Sequence, residues 1–128
     1  MKLLLDTHIL LWAASDPARI PAKTRKMLLD ERNDLFFSPA SIWEIVIKRG
    51  MRQDFKVEPS RLRKLLLANG YTEISINSDH ALGVDLLPAL HKDPFDRILL
   101  AQARSEGMRL LTADTQLIQY GDGIVPVL

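Results

Sequence analysis

Residues 1–15 read MKLLLDTHILLWAAS, and Asp6 either interrupts a hydrophobic leader or ends a buried strand. A secretory signal core needs roughly 7–15 uninterrupted apolar residues. Asp6 and His8 divide this run into LLL and ILLWAA, and no small-x-small cleavage site follows cleanly. The alternative is a wholly apolar strand, KLLL (2–5), of the kind found in parallel sheets covered on both faces. It turns at Asp6 into a helix from Thr7 to about Ala14.

The rest of the chain alternates in the same way. AKTRKMLLDER (22–32) reads as a helix and DLFFS (34–38) as a strand. Ser38-Pro39 supplies a capping hydroxyl and then proline at the first helical position, so a helix starts there, runs through SIWEIVIKR and stops at Gly50. Residues 51–58 form a polar connection. Pro59 opens a helix, SRLRKLLLAN, that Gly70 closes. YTEISI (71–76) alternates like a strand, SDHALGVDLL reads as helical, and Pro88 to Pro94 as a loop. Asp93-Pro94 starts the helix FDRILLAQARSE, which Gly107 ends. MRLLT (108–112) is a strand, DTQLIQY a short helix and GIVPVL a terminal strand. There is no repeat, linker or low-complexity segment. Such alternation predicts one domain, residues 1–128, with an α/β sandwich around a mostly parallel sheet.

Composition narrows the chemistry. With 47% apolar and 26% charged residues the chain can build a proper core. It has no cysteine, which excludes disulfide scaffolds, zinc–thiolate sites and cysteine nucleophiles and suits a reducing compartment. A net charge of +1, from 17 basic and 16 acidic residues, creates no global field toward polyanions. Nucleic-acid binding would have to use local patches. No stretch approaches the roughly 20 apolar residues of a membrane span, so a soluble, cytoplasmic protein is expected.

In open parallel sheets, ligands bind beyond the carboxyl ends of the strands. Four acids fall at such places. Asp6 directly follows KLLL, and Asp114 lies two residues past RLLT. Asp96 is in the first turn of the helix after Asp93-Pro94, and Glu44 in the second turn of the helix after LFFS. Each has a simpler role. Asp6 and Asp114 suit N-caps, and Asp96 suits the third position of a capping box with Asp93. Glu44 could pair with Lys48 at i,i+4 for roughly 0.2–0.5 kcal/mol. Such pairs usually sit on an open face. Here Ala40, Ile42, Trp43, Ile45, Val46 and Ile47 cover most of the helix, leaving Glu44 in a narrow polar stripe with Ser41 and Lys48, so the helix reads as largely buried.

Taken together the acids mean more than they do singly. Two carboxylates 4 Å apart repel by about 4 kcal/mol at an effective dielectric of 20. A cluster of four needs protons, basic side chains or a cation. An all-oxygen, carboxylate-rich site without thiolates favours Mg²⁺ or Mn²⁺, which accepts phosphate oxygens. Phosphodiester hydrolysis needs that capacity.

LLLDTHILLWA, SPASIWEIVIK, HKDPFDRILLAQA and LLTADTQLIQYG, in this order and spacing, resemble the PIN-domain family, and more narrowly the VapC-type ribonuclease toxins of prokaryotic toxin–antitoxin pairs. The resemblance runs from Lys2 to about Gly121, and HxDPFDR…AQA is its most specific piece. It implies a three-layer α/β/α sandwich and a metal-dependent endoribonuclease that uses Mg²⁺ or Mn²⁺. Asp6, Glu44, Asp96 and Asp114 match the family's four acids. Thr112 matches the hydroxyl residue beside the last acid, and Thr7 a frequent polar neighbour of the first. Asp93 and His91 belong to the subfamily signature, Asp93 mainly as the helix cap and His91 with no assigned role. The chain departs from the pattern after the Glu44 helix. RGMRQDFKVEP (49–59) stands where many relatives carry a longer basic stretch with a Gly-Lys-Leu turn, so substrate contacts there do not carry over.

The expected reaction is in-line attack of a metal-activated water on a phosphodiester, leaving a 5′-phosphate and a 3′-hydroxyl. Lys48, Arg49, Arg52 and Arg97 could neutralise RNA phosphates, against the simpler reading of solvated faces or ion pairs. His8 lies near Asp6, where a packed, hydrogen-bonded histidine is the commoner case. The apolar ridges between residues 22 and 69 should be mostly core. By resemblance some could receive an antitoxin helix or form a homodimer contact. A haloacid-dehalogenase-type phosphatase would want an acid where His8 stands, and a receiver domain would want its acids and lysine elsewhere. A catalytically silent PIN-like binding module remains the alternative.

Overall fold

Leu3, Leu4 and Leu5 are all fully buried because their strand is the middle one of five and is covered on both faces. The computed structural model describes residues 1–51 and 57–127. Its strands are β1 (Lys2–Leu5), β2 (Asp34–Phe37), β3 (Thr72–Glu73), β4 (Arg109–Thr112) and β5 (Ile124–Pro126). Its helices are α1 (Thr7–Ser15), α2 (Ala22–Leu29), α3 (Pro39–Met51), α4 (Pro59–Ala68), α5 (Ser78–Val84), α6 (Pro94–Ser105) and α7 (Thr115–Ile118). The strand order is β3-β2-β1-β4-β5, and every neighbouring pair is parallel. The sheet is therefore wholly parallel rather than mostly so.

The period-2 alternation of β1 sorts its leucines between two cores. Leu3 and Leu5 pack with Ile9 and Leu10 of α1, Ile45 of α3, and Leu62 and Leu66 of α4. Leu4 packs with Leu110 of β4 and with Leu99, Leu100 and Ala103 of α6. Helices thus cover both faces, giving the three-layer α/β/α sandwich. Among the described residues no helix is long and apolar enough to cross a membrane.

Several element boundaries differ from the expectation, two of them for a visible local reason. The strand expected over 71–76 is only Thr72–Glu73. The Ile74 N–H still donates to the Phe37 carbonyl at 2.9 Å, but the Ile74 and Ser75 carbonyls accept from the buried Gln102 amide, each at 3.4 Å. A side chain from α6 replaces further pairing. Helix α2 ends at Leu29 rather than 32, because the Asp30 carboxylate accepts from the Arg32 backbone N–H at 3.0 Å and from its guanidinium at 2.9 Å. Helix α3 does not stop at Gly50 but includes it. Gly70 behaves as expected. At φ +86° it closes α4 with two bonds, Gly70 N–H to Leu67 and Tyr71 N–H to Leu66, at 3.2 and 3.0 Å.

Candidate metal centre

The parallel register sets the first acid beside the last strand's hydroxyl. Leu5 of β1 lies opposite Leu111 of β4, so the next residues, Asp6 and Thr112, are neighbours. The chain adds β2 and β3 on one side of β1, then β4 and β5 on the other, which makes the β1–β4 boundary the topological switch point. Asp6 does cap α1, its Oδ1 accepting from the Ile9 N–H at 2.9 Å. Its other oxygen accepts from the Thr112 hydroxyl, whose oxygen in turn accepts from the Asp114 N–H at 3.0 Å. One buried hydroxyl thus ties the two acids together. Asp6 is only 2% exposed. Burial raises its pKa and the Asp114 carboxylate adds to this, against the bonds from Thr112 and Ile9.

The later acids meet around a histidine. Asp93 caps α6, accepting from the N–H groups of Phe95 and Asp96 at 2.8 and 3.2 Å. Asp114 caps α7 through the Gln116 N–H at 2.8 Å. The Asp96 carboxylate points not into a capping box but at His91 Nε2, 2.7 Å away. The same nitrogen is 3.8 Å from Asp114 Oδ2. One ligand atom from each of His91, Asp96 and Asp114 lies within 4.8 Å of the others. Burial pushes the Asp96 carboxyl up to about 7, opposed by the His91 bond and reinforced by the carboxylates of Asp93, Glu44 and Asp114.

Glu44 approaches from α3, and here the expectation of a largely buried helix fails. The buried residues of α3 are Ala40, Ser41, Glu44 and Ile45. Trp43, Val46 and Met51 are 62%, 49% and 79% exposed. Ser41 and Glu44 of the polar stripe face inward with Ala40 and Ile45, while Trp43, Val46 and Ile47 face out. Glu44 Oε2 does pair with Lys48 Nζ at 3.2 Å, yet Glu44 is 6% exposed and its Oε1 has no hydrogen-bond partner among the described residues. Thr7 sits alongside, donating to the Ser41 hydroxyl at 3.0 Å and tying α1 to α3. A buried carboxylate oxygen without a donor invites a cation. Carboxylate oxygens suit a hard divalent cation.

The basic residues occupy varied places. The Arg97 guanidinium donates to the carbonyls of Val84, Pro88 and His91 at 3.1, 3.2 and 3.1 Å. This engagement braces the loop before α6. Arg49 stands 3.7 Å from Glu58 on an exposed face. Arg52 lies outside the described residues. His8, expected to be packed, is exposed instead. Sequence reasoning left His91 without a role, although it stands in the HKDPFDR signature five residues before Asp96.

These shifts give the metal-free protein a pH signature. The Asp96 carboxyl titrates near its ordinary 3.8 when unfolded and near 7 when folded, so the folded state holds that proton more tightly. Its contribution to stability is complete below about pH 4 and is lost as pH rises toward 7. Without metal, wild type should match Asp96→Asn in Tm near pH 4 and fall progressively below it by pH 7. Scanning calorimetry of both across that range checks this; a constant offset would mean that the carboxyl is not so held.

Away from the acids, at the opposite edge of the sheet, a groove of about 450 Å³ is lined by Ala13, Ile20, Leu28, Leu35, Leu66 and Tyr71, among others. The PIN domain family model matches residues 3–123, and the chain belongs to that family. Solved structures share the fold. VapBC2 from Rickettsia felis, bound to a DNA fragment from its promoter, superposes with a TM-score of 0.72 at 15% identity, over 98% of this chain and 97% of that one. DNA-bound VapBC from Salmonella typhimurium gives 0.70 at 15% identity, over 100% and 99%. A toxin–antitoxin complex from Klebsiella pneumoniae gives 0.62 at 22% identity, over 98% of each chain. No curated protein sequence matches the chain.

Proposed function

We propose that the chain is a cytoplasmic, metal-dependent endoribonuclease and the toxin of a toxin–antitoxin pair. The observation that supports this reading is that Asp96 and Asp114 meet beside His91, with Asp6 linked to Asp114 through Thr112 and with a buried Glu44 oxygen nearby that has no hydrogen-bond partner among the described residues. Asp6, Asp96, Asp114 and Glu44 would hold the ion, and Thr112 keeps Asp6 aimed. Bound Mg²⁺ or Mn²⁺ supplies a water of lowered pKa and stabilises charge on phosphoryl oxygens. Thr112 and Ile9 fix the Asp6 rotamer by hydrogen bonds to both its oxygens. Asp93 orients the first turn of α6 and with it Asp96. Lys48, beside Glu44, brings positive charge to the rim, where an RNA backbone would pass.

The partner assignment rests on exposed apolar surface. Trp43, Val46, Ile47 and Met51 form an outward strip on α3, larger than scattered surface residues require. We assign this strip and the groove beside α1, α2 and α4 to a cognate antitoxin and to a second copy of the chain. The VapBC architecture of the structural neighbours supports an antitoxin.

The test is to incubate folded, inhibitor-free protein with a pool of cellular RNAs, with Mg²⁺ or with EDTA, and to map the ends. Cuts confined to the Mg²⁺ sample and bearing 5′-phosphates are expected. Absent or metal-independent cleavage of every RNA class would favour a silent binding module.

A further inference from the structure

Resting on the acid-site reading above, we propose that His91 is a direct ligand of the bound cation through Nε2, making the centre a mixed oxygen–nitrogen site. Two ligands at right angles on an ion with bonds of about 2.1 Å stand about 3 Å apart. His91 Nε2 lies 2.7 Å from Asp96 Oδ2 and 3.8 Å from Asp114 Oδ2, which brackets that spacing. The imidazole is 10% exposed, so its nitrogen faces the acids and not bulk water. Independently, the buried Glu44 Oε1 has no hydrogen-bond partner among the described residues and is a further oxygen donor for a cation here, since Glu44 lies close enough to act on the Asp96 carboxyl.

The surroundings hold this histidine in place. The backbone of its loop is clamped from α6 and from the turn after α7. The His91 N–H donates to the Tyr120 hydroxyl at 3.1 Å, and that hydroxyl donates to the Pro88 carbonyl at 2.8 Å. Gln119 Nε2 donates to the Leu90 carbonyl at 3.2 Å, and Arg97 holds the His91 carbonyl from α6 at 3.1 Å. Ligating histidines usually have their orientation fixed by a hydrogen bond on the second ring nitrogen. Among the described residues Nδ1 has no such partner, and the backbone clamp does that work instead. When Nε2 coordinates, the single ring proton resides on Nδ1.

A nitrogen donor discriminates among metals. Mg²⁺ prefers oxygen ligands, whereas imidazole binds later divalent ions better. Replacing His91 by glutamine should therefore weaken Mn²⁺ about tenfold and Mg²⁺ less than about twofold.

The experiment is electron paramagnetic resonance of the Mn²⁺-loaded full chain, with affinities from Mn²⁺ titration and Mg²⁺ from competition. Wild type should show a nitrogen hyperfine coupling that His91→Gln loses, together with the Mn²⁺ preference. Mn²⁺ bound with oxygen couplings only, or a His91→Gln protein with unchanged Mn²⁺ affinity, overturns the proposal and leaves the acid site standing. Asp96→Asn binding Mn²⁺ as tightly as wild type overturns both. Should His91→Gln not fold by circular dichroism, the coupling in wild type decides alone.

Discussion

Asp6→Asn is expected to reduce metal-dependent RNA cleavage by about a thousandfold or more without unfolding the protein. The amide oxygen can still accept from the Ile9 N–H, so the cap on α1 survives. The amide NH₂ can donate to the Thr112 oxygen, whose hydroxyl is free to turn away. What is lost is the negative charge. Because burial disfavours that charge in the fold, the metal-free variant should melt at or above the wild-type temperature at pH 7. Rate and stability thus separate, and no general folding defect produces that pair. Cleavage within tenfold of wild type, measured beside the melting curve, would remove Asp6 from the site.

Arg97→Ala should cost about 2–3 kcal/mol of stability, a large part of the 5–15 kcal/mol typical of a domain. The side chain ties the Val84 carbonyl at the end of α5 to the Pro88 and His91 carbonyls of the following loop, and its removal leaves the His91 carbonyl without a donor among the described residues, while Val84 and Pro88 keep theirs from Leu87, Leu90 and Tyr120. That loop carries His91, and cleavage should fall about ten- to a hundredfold with it. Lysine will not rescue the defect, because a single ammonium cannot reach along two directions as the guanidinium fork does. Thermal melts of Arg97→Ala and Arg97→Lys measure the brace. RNA binding measured against salt separates it from a phosphate contact: the slope should match wild type, whereas a slope shallower by about one would identify phosphate contact.

The parts of the fold set by local chemistry were legible. Alternating apolar runs and Pro or Gly punctuation located the strands and helices because each element carries its own period and caps. Asp6 shows why the site was harder to read. Helix cap and candidate ligand were posed as alternatives, and the structure gives the first role to one oxygen while the second is tied to Thr112, 106 residues away in sequence. Glu44 was singled out on an argument that the structure corrects. A helix with apolar residues around most of its circumference does not say which side faces in, and α3 turns Ser41 and Glu44 inward and Trp43 outward. His91 and Arg97 were opaque for another reason. Their roles come from a loop folded back over α6, and nothing in a loop's composition encodes which side chain will clamp it.

The most direct measurement is a crystal structure of the chain grown with Mn²⁺, with the ion located by its anomalous scattering. The expected result is a peak bounded by the carboxylates of Asp6, Glu44, Asp96 and Asp114 and absent from Asp6→Asn crystals. Fully loaded crystals with no peak among these four residues, or with the ion held elsewhere on the chain, would contradict the account.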